Sequence, residues 1–359
     1  MEHLEVISSD SHVAEPGDLW VERIDPAFKD RAPRVVRDPD ADRFYCEGLR
    51  PGRVGAIATS GIRPEVAQGM RFEEGLRGGW DPEARVKDMA LDGVDGDVLY
   101  ASIGLKLYKL EDTPFQLACM MAYNDWLADF CAAQPGRFKG VGLLPNDADA
   151  AAGELRRVAR LGLSGGMIAI YPGEDRHYSH EAYDPLWREA EALGLPLSLH
   201  INTALGAGTS VGNWAADYVT IPVWIQRSLS IMIFSGVFER FPGLKVVSAE
   251  NDIGWAGCFL QRMDHGMERH GASRGFGLKA KPSEYFHRNV FCTFMDDEAG
   301  LKIWDVVGED NILWSNDYPH SDSIWPHSQE VNQRQFQGVP ERVKEKALAG
   351  NARTLYGFP

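Results

Sequence analysis

The chain is poor in the features that most quickly assign a sequence to a structural class. Cysteine is scarce: five in 359 residues (Cys46, Cys119, Cys131, Cys258 and Cys292), odd in number, widely spaced and without a C-x-x-C pair. That pattern argues against a disulfide scaffold and a thiolate zinc site, and for reduced thiols in a cytoplasmic protein. A basic excess is missing too. Asp and Glu number 52 against 37 Lys and Arg, a formal charge of −15, so neither a nucleic-acid partner nor a basic membrane patch is expected. The longest apolar run, 231–238, is interrupted by Ser235 and Gly236 and is far too short for a bilayer. The acidic start, Met1 to Glu5, lacks the basic region and apolar core of a signal peptide. No internal repeat, low-complexity tract or linker divides the sequence, so one domain over 1–359 is expected.

What is present is ordinary in amount, with 44% apolar and 25% charged residues, but regular in order. Eight β-rich runs recur near 6–9, 97–101, 140–144, 166–170, 197–200, 245–249, 290–293 and 312–315. Helical patterns lie between them. Asp81-Pro82-Glu83 supplies an N-cap and a first-turn proline, and Gly93 a stop. Further helices are expected near 114–133, 147–161, 184–193, 219–238, 253–270 and 298–307, with helical turns over 339–356. Strand–helix alternation with short connections predicts parallel β with right-handed crossovers. Eight repeats predict an α/β fold of the (β/α)8 TIM-barrel type. Residues 17–79 break the rhythm after strand one and read as an insertion with a β-hairpin near 43–46.

Such barrels carry their sites at the C-terminal ends of the strands. Four strand ends here bear ligand chemistry. Asp10 and His12 are two residues apart after strand one, so an extended backbone turns both the same way. His200 closes strand five, Glu250 strand six and Asp317 strand eight. Mixed imidazole and carboxylate donors suit Zn, Mn or Fe as the divalent ion. Glu15 and His320 flank this set, Glu15 as a further ligand or a capping carboxylate and His320 as a ligand or a hydrogen-bond donor to one. Asp317, Glu250 and His320 are the candidates for proton handling. Tyr171, Asn202, Trp214 and Trp325, each just beyond a strand, are candidate substrate walls, while Arg77 and Arg227 are candidate partners for a substrate carboxylate.

Taken together, Asp10-Ser11-His12-Val13-Ala14-Glu15-Pro16, His200, Ser315-Asn316-Asp317-Tyr318-Pro319-His320 and Asn351-Ala352-Arg353-Thr354-Leu355-Tyr356-Gly357 resemble the amidohydrolase-related family. The resemblance is to the branch containing aminocarboxymuconate semialdehyde decarboxylase, and it spans nearly the whole chain. It implies a barrel with a divalent metal held by Asp10, His12, His200 and Asp317. It also implies non-oxidative decarboxylation or hydrolysis of a small organic acid by a homo-oligomer or hetero-oligomer. One departure stands out: the decarboxylases usually carry a histidine at the end of strand six, where this chain has Glu250. The Asp10-x-His12-x-x-Glu15-Pro16 form also resembles a subset that includes binuclear iron or iron–manganese oxygenases. Glu15, Glu250 and His320 would then serve a second ion. A third possibility is a non-catalytic metal-binding subunit of a larger complex.

Overall fold

Eight strands hydrogen-bond side by side in chain order, every neighbouring pair parallel. They are β1 (Ile7–His12), β2 (Gly96–Tyr100), β3 (Phe138–Leu143), β4 (Gly165–Ala169), β5 (Leu197–His200), β6 (Val246–Ala249), β7 (Val290–Phe294) and β8 (Ile312–Trp314). The computed structural model describes residues 5–206 and 210–359, so most of the acidic start lies outside the described residues. The sheet curls until β8 reaches β1, and the protein is a (β/α)8 barrel. Across that seam the His12 N–H donates to the Tyr318 carbonyl at 2.6 Å, and the Asp317 N–H to the Asp10 carbonyl at 3.0 Å.

The helices start and stop where short polar residues and glycines permit. The Asp81 carboxylate accepts from the N–H groups of Glu83 (2.9 Å) and Ala84 (3.1 Å), and caps Pro82–Asp92. Gly93, at φ +69°, ends that helix in the left-handed region. Asp112 and Asp147 cap Thr113–Ala132 and Ala148–Arg160 in the same way. Gly142 in β3 permits close helix approach, since a Cβ there would lie 2.6 Å from Val158 Cγ2.

Two expected helices are subdivided. The segment read as 219–238 forms Val223–Phe234 and Val237–Arg240, with Pro222 opening the first piece and Gly236 (φ +73°) breaking off the second, while Trp214–Val219 is a separate turn before them. The segment read as 298–307 forms Glu298–Leu301 and Trp304–Val307. A helix over Pro282–Asn289 was not anticipated; its apolar residues are too few to announce it. In the insertion the hairpin extends to three antiparallel strands, Arg34–Arg37, Asp42–Tyr45 and Gly52–Arg53. Phe44 from it and Trp20 beside it join the main apolar core. The C-terminal turns, Glu341–Glu345 to Asn351–Tyr356, pack behind β8 and β1. All five cysteines are free thiols, and among the described residues no helix is long and apolar enough to cross a membrane.

Candidate metal centre

β1 delivers its two candidate ligands through an irregularity: its register against β2 slips between Ser8 and Ser11. Asp10 and His12 are both buried there. The His12 Nδ1 lies 2.9 Å from the Ala101 carbonyl, and the His200 Nδ1 3.0 Å from the Ile201 carbonyl. A carbonyl can only accept, so each Nδ1 carries a proton and each Nε2 is turned to the barrel mouth, where it can meet an ion once unprotonated. The two Nε2 atoms stand 3.2 Å apart. Asp10 Oδ1 is 3.6 Å from each of them. Asp317 Oδ1 is 3.4 Å from the His12 Nε2, and Glu250 Oε2 is 3.3 Å from the His200 Nε2.

Acceptors thus converge on acceptors. The buried Asp10 Oδ1 and both Asp317 oxygens find no hydrogen-bond partner, an arrangement that carries a heavy desolvation cost unless a cation sits among them. One proton answers part of the need. Burial alone would lower the His200 pKa, but the Asp10 and Glu250 carboxylates raise it to about 9. Burial, with His320 and His200 close by, pushes His12 well below the usual histidine value. Burial and the facing acidic groups push Glu250 and Asp317 well above the carboxylate range. A single proton bridges one pair of atoms, whereas a divalent ion meets all of these donors, and the donor set fits one.

The backbone that presents them is held in an unusual conformation. Asn202, Glu250, Asp252 and Asp317 are the non-glycine residues with positive φ among those described, at 63°, 57°, 55° and 55°. All four lie just beyond β5, β6 or β8, and each costs on the order of 1 kcal/mol relative to relaxed backbone. Thr293 stabilises one of these turns, and sequence reasoning missed it. Its hydroxyl accepts the Glu250 N–H at 2.7 Å and donates to Asp10 Oδ2 at 2.9 Å, linking β7 to the candidate site residues after β6 and in β1.

His320 packs its ring on His12, with centroids 3.9 Å apart, and places Nδ1 3.1 Å from Asp317 Oδ1. Its Nε2 lies 2.8 Å from the Ser102 hydroxyl, which gives its own proton to the Val13 carbonyl at 2.7 Å. Ser102 therefore accepts from His320. Burial holds this imidazole down at about 4.

Glu15 takes the capping reading and not the ligand one. Its carboxylate accepts the N–H groups of Ser102 (3.2 Å), Ile103 (2.8 Å) and Gly104 (2.8 Å), so it anchors the loop after β2. A cavity of about 550 Å³ opens above the cluster, lined in part by Asn202, Trp214, Tyr218, Glu250, Asp317 and His320. Asn202 and Trp214 stand where expected. Tyr171 and Trp325 do not line it. Tyr171 is buried behind the wall, its ring 5.2 Å from that of Trp224, and Trp325 donates its indole N–H to the Asp88 carbonyl. Arg77 and Arg227 form exposed ion pairs with Asp81 and Glu174. Tyr218, Trp224, Lys109 and Asp322 line the cavity unforeseen; of these only Tyr218 lies on the helical turn at 214–219, which was itself not foreseen.

The chain is similar to known proteins in sequence and in fold. The sequence profile of the Amidohydrolase family matches residues 74–358. A 2-amino-3-carboxymuconate-6-semialdehyde decarboxylase of Dictyostelium discoideum is 27% identical over 288 residues, covering 78% of this chain and 77% of that protein. An amidohydrolase from Mycobacterium avium subsp. paratuberculosis superposes with a TM-score of 0.82 at 21% identity, over 99% of this chain and all of the other. A 5-carboxyvanillate decarboxylase from Novosphingobium aromaticivorans, solved with manganese and 4-hydroxy-3-methoxy-5-nitrobenzoic acid, gives a TM-score of 0.73 at 22% identity, over 99% and 96% of the two chains.

Proposed function

The chain belongs to the Amidohydrolase family, and from that premise we propose that it is a metal-dependent carboxy-lyase releasing CO2 from a small organic acid without oxidation. The observation that carries this reading is the convergence of two imidazole Nε2 atoms and three carboxylates at the floor of a cavity of about 550 Å³. Asp10, His12, His200 and Asp317 would hold the ion, of the zinc, manganese or iron type. Bound there, such an ion supplies positive charge for the substrate's carboxylate or neighbouring hydroxyl. The relative from Dictyostelium discoideum is a decarboxylase by name, and the neighbour from Novosphingobium aromaticivorans is one that binds manganese.

Loss of CO2 leaves an electron pair on carbon, and one proton must replace the departing group. Glu250 is suited to deliver it. It lines the cavity, is partly exposed to it, and has its carboxyl pushed upward by burial and by Asp317. His320, held by Ser102, stacks on the His12 ring with its Nδ1 beside Asp317. Trp214, Tyr218 and Trp224 give the cavity aromatic walls suited to a planar substrate. Hydrolysis would use the same groups on a water molecule.

One observation favours a second reading, the binuclear oxygenase. His12, Asp317 and His320 also offer ligand atoms close together, so a second ion could share Asp317. Glu15, engaged by backbone amides, is not free to assist it. The chain is further proposed to act in the cytoplasm as a homo-oligomer. Its free thiols and the exposed Val211, Trp214, Val219 and Val223 support this.

The test is CO2 release from a panel of hydroxylated benzoates by chelator-treated protein, with Mn²⁺ or Zn²⁺ restored, alongside metal analysis of untreated protein. Metal-dependent release with one ion per chain is expected. Two ions including iron, with oxygen uptake, would replace this reading by the oxygenase.

A further inference from the structure

Three of the proposed ligands, Asp10, His12 and Asp317, lie at the seam where β8 meets β1. No regular ladder between these two strands is present among the described residues, whereas every other neighbouring pair in the barrel has one. The seam is held chiefly by polar contacts at the strand exits. The Ser8 and Ser11 hydroxyls donate to Asn316 Oδ1 at 2.9 and 3.0 Å, and the Asn316 amide donates to Asp92.

At the centre of these contacts is Arg85, on the helix Pro82–Asp92, the one Lys or Arg among the described residues that is fully buried. Its Nε donates to Asp97 Oδ2 at 2.7 Å. Its Nη1 donates to the His12 main-chain carbonyl at 2.7 Å. Its guanidinium carbon lies 4.9 Å from the centroid of the Tyr318 ring, next in sequence to Asp317. The same helix holds the other end of that ring, because Asp88 accepts the Tyr318 hydroxyl at 2.5 Å. Packing there leaves no slack. A Cβ on Gly78 would lie 2.4 Å from both the Tyr318 hydroxyl and Asp88 Oδ2.

A guanidinium out of water is costly, and apolar residues of similar volume would often fill the place with no loss of stability. What an apolar residue cannot do is grip a carbonyl on one strand exit and an aromatic face on the other. We propose that Arg85 is a positioning residue for the metal centre, clamping His12 and Asp317 at the distance that one ion requires. The inference rests on the metal centre proposed above and is independent of the reaction assigned to it. Lysine cannot replace the clamp, since a single ammonium lacks the planar fork that spans Asp97, the His12 carbonyl and the Tyr318 ring.

The experiment is direct binding of Mn²⁺ and Co²⁺ to metal-free protein, for the wild type, Arg85→Lys and Arg157→Lys. Arg157 pairs with Glu154 and Asp125 away from the seam, so its substitution controls for the loss of a part-buried ion pair. Binding is measured where circular dichroism shows each variant folded. Arg85→Lys is expected to weaken the metal Kd by about tenfold or more, the usual scale for losing a group that orients a ligand. It should also change the visible spectrum of bound Co²⁺, while Arg157→Lys leaves both untouched. A wild-type Kd and spectrum in Arg85→Lys would overturn the proposal. Should Arg85→Lys not fold, Tyr318→Leu removes the aromatic face that the guanidinium grips. A weakened Kd is expected, and an unchanged one overturns the clamp. Wild-type protein that binds no metal would overturn the centre and the clamp together. Metal binding without CO2 release would count against the reaction alone.

Discussion

Replacing Glu250 by Gln is the sharpest probe of the chemistry, because it changes one oxygen to an NH2 and leaves volume and backbone alone. The side chain stands with Oε2 3.3 Å from the His200 Nε2 and 3.9 Å from that of His12. Its main-chain N–H is fixed separately by Thr293, so the positive-φ turn does not depend on the carboxyl. An amide cannot deliver and recover a proton. General acid–base catalysis contributes about 10²- to 10⁴-fold. At about 1.4 kcal/mol per decade, that raises the barrier by about 3–6 kcal/mol. The expected result is kcat for CO2 release reduced at least about 100-fold. Four ligands remain for one ion, so metal content should hold at one per chain. Removing a carboxylate that faces Asp317 relieves like-charge repulsion, so the metal-free variant should melt no lower than wild type. The assay pairs kcat with metal analysis and a thermal melt on the same preparation. Wild-type turnover in this variant would refute the role of Glu250 in proton transfer. A fall from two ions to one would make it a ligand of a second ion.

Other outcomes follow from the same geometry. His200→Ala should lose most bound metal with its circular dichroism spectrum intact, since the barrel core does not depend on that imidazole; a fully metallated, active variant would refute the ligand assignment. Glu15→Gln should keep its metal but lower stability by about 1–3 kcal/mol in denaturant titration, because an amide nitrogen cannot accept the buried N–H groups that Glu15 now satisfies. Loss of metal at unchanged stability would restore Glu15 as a ligand. Metal affinity should rise with pH. In the metal-free site His200 holds a proton up to about 9, and that proton must leave before Nε2 can bind the ion. A Kd independent of pH between about 6 and 9 would contradict this.

The barrel was legible because its signals are local and repeated. Each of the eight apolar runs lies within two or three residues of an observed strand, and Asp81, Asp112 and Asp147 cap helices by contacts spanning two or three positions. Errors came where local propensity is divided, as in 219–238, where Pro222 and Gly236 cut one apolar stretch into separate helices. At the site, Asp10, His12, His200, Glu250 and Asp317 could be read because titratable side chains at the ends of apolar strands are rare and the fold dictates where strand ends go. Tyr171 and Trp325 were misread because an aromatic after a strand looks the same in sequence whether it faces a cavity or packs behind its wall.

What stayed hidden are the residues that hold the ligands in place, for a physical reason. Thr293 meets Asp10 across 283 positions, and Arg85 reaches the His12 carbonyl across 73. In sequence the first is one hydroxyl in a strand, and the second resembles any cation on an amphipathic helix. Glu15 shows the reverse error. A carboxylate three residues from a ligand invites assignment as another ligand, but burial in reach of three free amides satisfies it without a metal. The orphaned oxygens of Asp10 and Asp317 have no such alternative. That contrast among carboxylates of similar burial, more than their number, is what supports the proposal of an ion between Asp10 and Asp317 across the seam.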